Sequence, residues 1–376
     1  MPEPDFDVVL VGAGVVGLGI AAVTAERGRS VAVLERHDSF GRETSSRNSE
    51  VVHAGLYYSS GWLKTKLCVE GRRELYELCE KSGVGYRKCG KVLVAVTEDE
   101  IAGLEELKAN GEACGVEGLR MISAEEVRKL EPNVRAAAGL HSPESGIVDS
   151  HQLMEHFKRR LEAAGGDCVF GCEVKGLEAA HGVWTVRYRD AEGEGGIECR
   201  AVVNSAGLGA QEVMRMAGLD PDAMNLRLWP CKGEYFAVQG PRRATVGSLV
   251  YPSPERDLRG LGIHTVVDLG GGLKLGPSAE YVDEIDYRVD PGKAGAFLEG
   301  VRAFLPLLEI EDLVPDMSGV RPKLYGPGAP ARDFHIAHEA ERGAPGFFNL
   351  CGIESPGLTA APAIARHVSD LVDDCL

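Results

Sequence analysis

The sequence predicts an α/β fold in which a discontinuous Rossmann-like domain carries an inserted, mainly antiparallel β-sheet domain. Three observations predict this fold. Residues 6–36 read as strand, glycine-rich turn, helix and strand, the order of a βαβ unit. Residues 201–206, AVVNSA, form a second apolar strand that ends at a glycine, as a core strand of the same sheet would. Residues 228–280 alternate polar and apolar side chains between turns, which is typical of antiparallel strands.

The opening segment, FDVVLVGAGVVGLGIAAVTAERGRSVAVLER, contains the most informative pattern of the chain. Residues 8–11 are an apolar run, which predicts a buried parallel strand. An amphipathic helical pattern follows to about Arg27, and Gly28 ends it. Residues 31–34 predict the next strand, with Glu35 at its end.

The glycines of this unit follow the spacing G-x-G-x-x-G at Gly12, Gly14 and Gly17. The first allows a tight turn, the second leaves room for a pyrophosphate, and the third lets helix and strand pack closely. The helix N-terminus offers N–H donors and a partial positive charge to the phosphates. Glu35 is placed to accept hydrogen bonds from a ribose 2′-hydroxyl, which favours FAD or NAD over NADP. The alternative is a glycine-rich turn in another α/β fold.

Length and charge limit the classes of protein to consider. The chain has 376 residues, enough for two domains, and its 44% hydrophobic and 26% charged residues are ordinary for a globular protein. The formal net charge of −16 argues against binding to nucleic acid. An anionic substrate would therefore need a local cluster of basic side chains.

Cysteine and histidine spacing predicts no metal site. The ten cysteines include no C-x-x-C pair, and we interpret them as reduced thiols. His335 with His338, and His151 with His156, lack partners at ligand spacing. The start MPEPDFD lacks the basic region of a signal peptide, and the uncharged residues 8–23 are too short and glycine-rich for a membrane-spanning helix. We therefore expect a cytoplasmic enzyme.

Helices and strands alternate along the rest of the chain. Residues 37–61 predict a long polar loop with a short helical segment, and long ordered loops are usually functional. Further helices are predicted at 62–82, 98–115, 123–130 with a capping box from Ser123 and Glu126, 151–164, 293–305 and the end of 351–372. Further strands are predicted at 91–96, within 135–148, at 168–174, at 182–189 as its hairpin partner, and at 347–350.

This order predicts two interleaved domains. The Rossmann-like domain is expected to comprise residues 1–85, 145–220 and 320–376, because these contain the apolar strands and glycine-rich turns. The sheet-rich substrate domain is expected to comprise residues 86–144 and 221–319.

The opening unit, the AVVNSAG strand and the C-terminal GIESPGLTAAPAIA resemble the D-amino-acid-oxidase-like flavoproteins. This resemblance implies extended FAD and a terminal helix, after Gly352 and Ile353, whose N-terminus points at the pyrimidine end of the flavin. A positive helix end would stabilise the anion of reduced flavin. By the same resemblance, the backbone of Val174 would lie beside the adenine.

A narrower resemblance covers residues 44–93 and extends to SPESGIVDS at 142–150 and KGEYF at 232–236. These stretches, above all NSEVVHAGLYY and KLCVEG, look like the L-2-hydroxyglutarate dehydrogenase/oxidase family. The family often has His-Asn-Ser-Gly where this chain has Arg47-Asn48-Ser49-Glu50. The chain also looks shorter than many relatives between about 282 and 316, a region that would cover the substrate or contact a membrane peripherally.

Two histidines are candidates for the catalytic base. His53 lies in the loop expected beside the flavin ring, and its pKa suits removal of a hydroxyl proton near neutral pH. The alternatives are a covalent link to the flavin, as related enzymes form through a loop histidine, or a hydrogen bond to the backbone. His264, in a predicted strand, is the alternative base or a carboxylate ligand, although histidines in strands are more often structural.

Lys232, Tyr251 and Arg321 are candidates for holding substrate carboxylates. Arg321 is the strongest, because a guanidinium can pair with a carboxylate through two hydrogen bonds. Tyr58, with its neighbour Tyr57, would gate the site, or else both would simply pack as aromatic residues.

The family resemblance also implies the residues that bind FAD. Arg47, Asn48 and Ser49 are expected to contact the pyrophosphate and ribityl groups. The other expected FAD contacts are Gly12, Gly14, Val15, Val16, Gly17, Glu35, Arg36, Ser46, Val174, Ala206, Gly207, Gly352, Ile353, Gly357, Leu358 and Thr359.

The resemblance therefore implies FAD-dependent oxidation of a small 2-hydroxy acid, with L-2-hydroxyglutarate the first candidate and hydride transfer to flavin N5. The electron acceptor is expected to be oxygen, a quinone or another flavoprotein. The alternatives are an amine or amino-acid oxidase of the same superfamily, a flavin-binding protein without turnover, and a plain NAD-binding protein.

Overall fold

The computed structural model describes residues 3–253 and 262–376. Over these residues the chain forms twenty β-strands and eight α-helices. The strands are β1 (Phe6–Val11), β2 (Val31–Glu35), β3 (Val51–Val52), β4 (Tyr86–Arg87), β5 (Lys91–Ala95), β6 (Arg120–Ser123), β7 (Ala138–Ser142), β8 (Gly146–Val148), β9 (Asp167–Phe170), β10 (Glu173–Ala180), β11 (Val183–Asp190), β12 (Gly193–Asn204), β13 (Trp229–Val238), β14 (Leu249–Pro252), β15 (Thr265–Val267), β16 (Leu273–Leu275), β17 (Glu280–Tyr281), β18 (Leu313–Lys323), β19 (His335–His338) and β20 (Phe347–Cys351). The helices are α1 (Val15–Glu26), α2 (Leu63–Ser82), α3 (Ile101–Ala113), α4 (Ala124–Leu130), α5 (Ser150–Ala163), α6 (Ala210–Met216), α7 (Ala294–Arg302) and α8 (Gly357–Asp373).

The largest sheet has eight strands and contains the predicted βαβ unit. Its centre is parallel, in the order β9-β2-β1-β12-β20, so the predicted core strand at 201–206 is confirmed beside β1. β10 and β11 extend the amino-terminal half of β12 as an antiparallel hairpin, and β19 pairs antiparallel with β20. The parallel strands carry near-continuous apolar runs because helices and loops cover both faces.

Helices α1, α5 and α8 pack together on one face of this sheet. Leu18 and Ile20 of α1 are fully buried, as are Ala361 and Ile364 of α8. A methyl group added at Gly19 would touch Ala365 at an ordinary 3.4 Å, so small residues let the two helices approach closely. This packing fixes the N-termini of α1 and α8 relative to the carboxyl ends of the strands.

A five-stranded antiparallel sheet confirms the antiparallel strands predicted within 228–280. β13 is its centre and pairs with β16, β17 and the eleven-residue β18. One part of the prediction is wrong. β14 leaves this sheet and pairs in parallel with β5, in a separate four-stranded sheet with β7 and β6. Alternation in the sequence identifies a strand but not its partner, and the partner here is about 160 residues earlier in the chain, as the pairing of Leu249 with Lys91 shows.

Two other local predictions differ from the structure. The strand expected at 168–174 is two strands, β9 and β10, because Gly171 turns the chain with a φ of +66°. The short helix expected in the loop at 37–61 is a series of turns over residues 40–46. Residues 254–261, within the predicted antiparallel region, lie outside the described residues.

The capping box at the start of α4 is confirmed, since Ser123 and Glu126 exchange hydrogen bonds there. Three buried apolar clusters lie on the two faces of the large sheet and between the smaller sheets. The division into two domains at the residues given above stays a prediction. None of the helices in the described part of the chain combines the length and apolarity needed to cross a bilayer.

Candidate active site

A cavity of about 570 Å³ lies where the carboxyl ends of the large parallel sheet meet the five-stranded sheet. Ligands of open α/β sheets bind at this edge because the loops after the strands leave a crevice there. Most residues expected from the sequence line this cavity: Gly12, Gly14, Val15, Val16, Glu35, Arg36, Arg47, Asn48, Ser49, His53, Val174, Ala206, Gly207, Tyr251, His264, Arg321, Gly352, Ile353, Gly357, Leu358 and Thr359.

The glycine-rich turn places the N-terminus of α1 against the cavity. Gly12 has a φ of +102°, which an L side chain rarely adopts, and a methyl group at Gly14 would lie 2.9 Å from Oγ of Ser45. No side chain caps α1 at Gly14, although the N–H of Val15 donates to Ser45 Oγ at 3.0 Å. Gly17 does not line the cavity. Glycine is needed here for close packing, because a methyl group added at this position would lie 2.3 Å from the carbonyl oxygen of Gly12.

Glu35 is held rigidly at the end of β2. Its Oε2 accepts a hydrogen bond from the N–H of Ala13 at 2.8 Å, and its Oε1 accepts one from the N–H of His37 at 2.9 Å. Each oxygen keeps a further lone pair, so the carboxylate can still accept hydrogen bonds from a ribose hydroxyl. Arg36 lines the cavity beside it and forms an ion pair with Glu43.

The loop after β2 approaches the cavity through Ser45 rather than Ser46. Ser46 hydrogen-bonds to the carbonyl of Gly41 and does not line the cavity. Asn48 Nδ2 donates to the carbonyl of Ser45 at 2.7 Å and so fixes the turn. The guanidinium of Arg47 lies 4.2 Å from the centre of the Tyr287 ring.

Glu50 explains one departure of this chain from the family it resembles. Its φ is +56°, the left-handed region in which the glycine common in that family is unstrained. Its carboxylate accepts hydrogen bonds from the N–H and Oγ of Ser150 at 2.9 and 2.7 Å. These two bonds at the start of α5 offset the strain of a side chain at this position.

The N-terminus of α8 closes the other end of the cavity. No side chain caps it at Pro356, and Gly357, Leu358 and Thr359 line the cavity. Gly352, with a φ of +72°, turns the chain from β20 towards this helix. The N-termini of α1 and α8 therefore both face one cavity, and their partial positive charges favour anionic groups there.

The side chain of His53 lies beside this second helix. Its Nε2 is 3.1 Å from Oγ of Ser355, which also lines the cavity, while its Nδ1 is buried without a partner among the described residues. Burial, with smaller contributions from Lys91 and His264, holds the pKa of His53 well below its ordinary value. The imidazole is therefore neutral at pH 7 and can accept a proton.

His264 and Tyr251 form a stacked pair in the cavity wall. Their ring centres are 3.7 Å apart with an interplanar angle of 23°. Nδ1 of His264 lies 2.9 Å from the carbonyl of Gly262, so this nitrogen carries the proton and Nε2 is the free acceptor. Burial lowers the pKa of His264 to about 3, and the charges of Lys91 and Arg321 act in the same direction.

Arg321 and Lys323 bring two cations to the cavity from alternate positions of β18. Arg321 Nη2 donates to the carbonyls of Ser278 and Lys232 at 2.6 and 3.3 Å. Its Nη1 has no hydrogen bond among the described residues, and it is available to an anion. The ammonium of Lys323 lies 4.6 Å from the centre of the Tyr325 ring, with no carboxylate within 4.0 Å in the described chain.

Two expected substrate ligands lie outside the cavity. Gly233 and Tyr235 of β13 line the cavity. Side chains alternate along a strand, so Lys232 and Glu234 point to the opposite face of β13. Lys232 accordingly donates to the carbonyl of Arg288 at 2.5 Å and lies 3.4 Å from Glu234. Tyr58 lies behind Ser355, with its hydroxyl 3.4 Å from Ser355 Oγ. Neither Lys232 nor Tyr58 lines the cavity, so the expected contacts of these side chains with the substrate are not seen here.

Sequence reasoning missed several residues of the site, namely Ser45, Lys91, Tyr235, Lys323 and Ser355. Lys323 had only an indirect signal: it follows Arg321 by two positions, and the two share a face in β18, a strand that the sequence did not predict. Ser355 was detectable from the C-terminal resemblance, which covers it. Lys91 and Tyr235 had no signal, since a lysine or tyrosine in a strand is ordinary.

No group of three or more His, Cys, Asp or Glu side chains in residues 3–253 and 262–376 is arranged to hold a metal ion. His335 and His338 have structural contacts instead. Nε2 of His335 is 2.7 Å from Glu339, and Nε2 of His338 accepts from the N–H of Gly346 at 2.8 Å. All ten cysteines are free thiols.

The residues of the cavity fit a flavin dinucleotide. The cavity has a glycine turn without room for side chains, a fixed acid for a ribose, the N-termini of two helices, and a volume typical of sites for large ligands. A family model described as FAD dependent oxidoreductase, DAO, matches residues 7–371. The chain belongs to the DAO family. FAD is its cofactor, and it is an FAD-dependent oxidoreductase.

Named relatives of this DAO-family chain share one description. It is 39% identical to the mitochondrial L-2-hydroxyglutarate dehydrogenase of Arabidopsis thaliana, over 97% of this chain and 83% of the relative. It is 31% identical to the human mitochondrial protein of the same name, over 98% of this chain and 88% of the relative.

The fold also matches solved DAO-like flavoproteins. An FAD-bound, dithionite-reduced L-α-glycerophosphate oxidase from Mycoplasma pneumoniae superposes with a TM-score of 0.86 and 26% identity, covering 98% of this chain and 94% of that one. This agreement supports the Rossmann-like α/β fold and FAD as the cofactor.

Proposed function

We propose that this protein oxidises L-2-hydroxyglutarate to 2-oxoglutarate with FAD. The observation that carries the proposal is one cavity that combines a neutral histidine, His53, with two cations, Arg321 and Lys323. A 2-hydroxy dicarboxylate needs a base for its hydroxyl and positive charge for its two carboxylates. The names of the plant and human relatives point to the same substrate.

FAD, when bound, supplies the acceptor for the hydride that leaves C2 of the substrate. The chain would hold it through the glycine turn, Glu35, the loop at 44–49, the adenine-side residues Val174 and Ala206, and the N-terminus of α8. The helix ends and the acid in this set line one cavity.

His53 removes the hydroxyl proton in this proposal. Its Nε2 faces Ser355, and that hydroxyl orients the imidazole from the cavity side. A neutral imidazole is the reactive form of a general base, and its lowered pKa keeps it in that form at neutral pH. His264 is the second candidate, because its free Nε2 belongs to a ring in the same wall.

Arg321 binds the carboxylate next to the reacting carbon. Its guanidinium is fixed by backbone carbonyls on one side and leaves Nη1 free on the other, which suits a charge-assisted hydrogen bond. Lys323 supplies the second charge, for the distal carboxylate. Both come from one strand, so their spacing is set by the rigid pairing of β18 with β13.

Anaerobic reduction of the flavin tests the proposed function. The purified holoenzyme is mixed with L-2-hydroxyglutarate, D-2-hydroxyglutarate and a panel of amino acids under argon, and the visible flavin band is followed. We expect rapid bleaching with the L-hydroxy acid alone. Bleaching by an amino acid instead would favour the amine or amino-acid oxidase alternative, and a yellow protein inert to every donor would contradict both.

We also propose that the electron acceptor is oxygen or a quinone and that the protein works in the cytoplasm, although the plant and human relatives are named as mitochondrial. Mixing the substrate-reduced enzyme with aerated buffer or with a soluble quinone separates the two acceptors. Reoxidation within one catalytic turnover time is expected for the true acceptor. Fractionation of source cells tests the location and any peripheral contact with a membrane.

A further inference from the structure

Lys91, at the start of β5, is a buried lysine for which residues 3–253 and 262–376 provide no counterion. Its side chain is 1% exposed, and its Nζ has neither a hydrogen bond nor an ion pair among the described residues. A buried ammonium normally needs a carboxylate or several acceptors, because leaving water costs several kcal/mol. A structural role alone does not explain a lysine here, since a methionine would fill the same space without this cost.

The surroundings of this ammonium are aromatic. Nζ lies 3.9 Å from the ring centre of Tyr251 and 5.2 Å from that of Tyr57. Contacts at these distances over a ring face are attractive and become stronger when water is excluded. Pairing of β14 with β5 sets this geometry, because it places Tyr251 opposite Leu93, two residues from Lys91.

Tyr251 connects the ammonium to the cavity. His264 stacks on Tyr251 at 3.7 Å and so covers one whole face of the ring, which leaves the other face to Lys91. The result is a three-layer arrangement of ammonium, phenol and imidazole. Tyr251 and His264 line the cavity, whereas Lys91 lies behind them.

We propose that Lys91 is a positioning residue of the reaction. Its ammonium holds Tyr251 against His264 and gives the cavity wall near His53 a positive potential that favours an anionic substrate. The preference for an anion rests on the proposed oxidation of a dicarboxylate, while the positioning of the stack stands on the geometry alone.

Electrostatics support this role. Burial lowers the pKa of Lys91 to about 7, and its charge in turn lowers the pKa of both His53 and His264. The field of Lys91 therefore reaches the two imidazoles of the site. The titratable groups whose charge acts on Lys91 are Cys68 and Cys89, both of which raise its pKa, and the rings of Tyr57 and Tyr251 lie beside its ammonium. Arg321 is the other cation that acts on His264.

The lowered pKa predicts the direction of a pH effect. A lysine with a pKa of about 7 is charged below that pH and loses its charge as the pH rises through it. Anion binding by the wild type should therefore weaken between pH 6 and pH 9. An arginine at position 91 stays charged over this range, and a methionine carries no charge at any pH.

The experiment compares the wild type with Lys91→Arg and Lys91→Met holoenzymes. Binding of 2-oxoglutarate is measured from its perturbation of the visible flavin spectrum, without turnover, from pH 6 to pH 9. We expect the Kd to rise about tenfold with pH in the wild type and to stay level in Lys91→Arg. In Lys91→Met the Kd at pH 6 should be about tenfold higher than that of the wild type, and it should not depend on pH.

Lys88→Met is the matched control, because Lys88 is exposed three residues earlier and also lies over a tyrosine ring, at 4.4 Å from the centre of Tyr76. Lys88→Met should bind 2-oxoglutarate as the wild type does.

A Lys91→Met enzyme that binds 2-oxoglutarate like the wild type at pH 6 would overturn the inference. If that variant does not retain FAD, equal pH slopes in the wild type and Lys91→Arg overturn it instead. A wild type that binds 2-oxoglutarate but is not reduced by L-2-hydroxyglutarate contradicts the proposed function alone.

Discussion

The backbone N–H of His53 donates a hydrogen bond to Oγ1 of Thr359 at 3.0 Å, which joins the histidine loop directly to the first turn of α8. The same hydroxyl donates to the carbonyl of Val51 at 3.2 Å. One threonine thus holds the loop on both sides of Val52 against the helix whose N-terminus faces the cavity. The position of the candidate base therefore depends on a residue near the opposite end of the chain.

Thr359→Val should separate these two elements. The substitution keeps the shape of the side chain but leaves two buried backbone groups without a partner, which should lower the free energy of unfolding by about 1–3 kcal/mol. Because His53 loses its anchor, kcat for flavin reduction should fall as well. Thr24→Val is the matched control, since it removes another buried threonine hydroxyl, which hydrogen-bonds from α1 to Ser369 of α8 at 2.8 Å. It should lower the melting temperature and leave kcat per bound FAD unchanged.

His53→Ala should lower the rate of flavin reduction by about 10²–10⁴-fold, the usual contribution of a general base. Stopped-flow mixing with L-2-hydroxyglutarate measures this rate. Ser355→Ala should cost much less, because it removes only the orienting hydroxyl. Full turnover by His53→Ala would show that His53 is not the base.

The lowered pKa of His53 also predicts how the rate of flavin reduction at saturating substrate depends on pH in the wild type. The neutral base is the reactive form, and it predominates above its pKa. Because burial places that pKa well below the ordinary value of 6.5, the rate should stay level as the pH falls through 6.5 and decline only in more acidic solution. A decline centred at or above 6.5 would show that the histidine is not desolvated.

Gly17→Ala should disturb both the fold and cofactor binding. Its methyl group would meet the carbonyl oxygen of Gly12 at 2.3 Å, and forced packing of this kind costs about 1–3 kcal/mol. The ratio of flavin to protein and the melting temperature measure the two effects. Gly19→Ala, on the same helix, is the control. Its nearest contacts are an ordinary 3.4 Å, so it should retain FAD and gain up to about 1 kcal/mol from helix propensity.

Lys323→Gln should reduce the preference for a dicarboxylate. The measured quantity is the ratio of kcat/KM for L-2-hydroxyglutarate to that for L-2-hydroxyvalerate, which carries a methyl group in place of the distal carboxylate. Loss of one charge-assisted hydrogen bond is worth about 1.5–3 kcal/mol, so the ratio should fall about 10–150-fold. Lys129→Gln, an exposed lysine on α4, should leave it unchanged. An unchanged ratio in Lys323→Gln would place the distal carboxylate elsewhere.

Local patterns predicted most elements of the fold, because helices and strands leave their period in the sequence. Gly28, Ser123 and Glu126 end or begin helices as expected. The largest failure involves pairing. β14 reads as one more antiparallel strand, yet it joins β5 in parallel, and the choice depends on which buried surfaces meet after the chain has folded.

The same distinction divides the candidate site. The glycine turn, Glu35 and His53 were predicted because each has a local sequence context that carries chemistry. Lys232 was predicted to contact the substrate, but its strand presents Gly233 to the cavity instead. Which face of a strand borders the cavity depends on how the sheet packs, and the sequence does not record that.

By itself, the sequence determined the βαβ unit, the dinucleotide site and the family, since these depend on residues close together in the chain. The tertiary structure alone decided which side chains share the cavity with His53, and it placed the buried Nζ of Lys91 against the ring of Tyr251. The reason is physical. Burial and electrostatic fields arise between groups brought together by folding, so no local pattern records them.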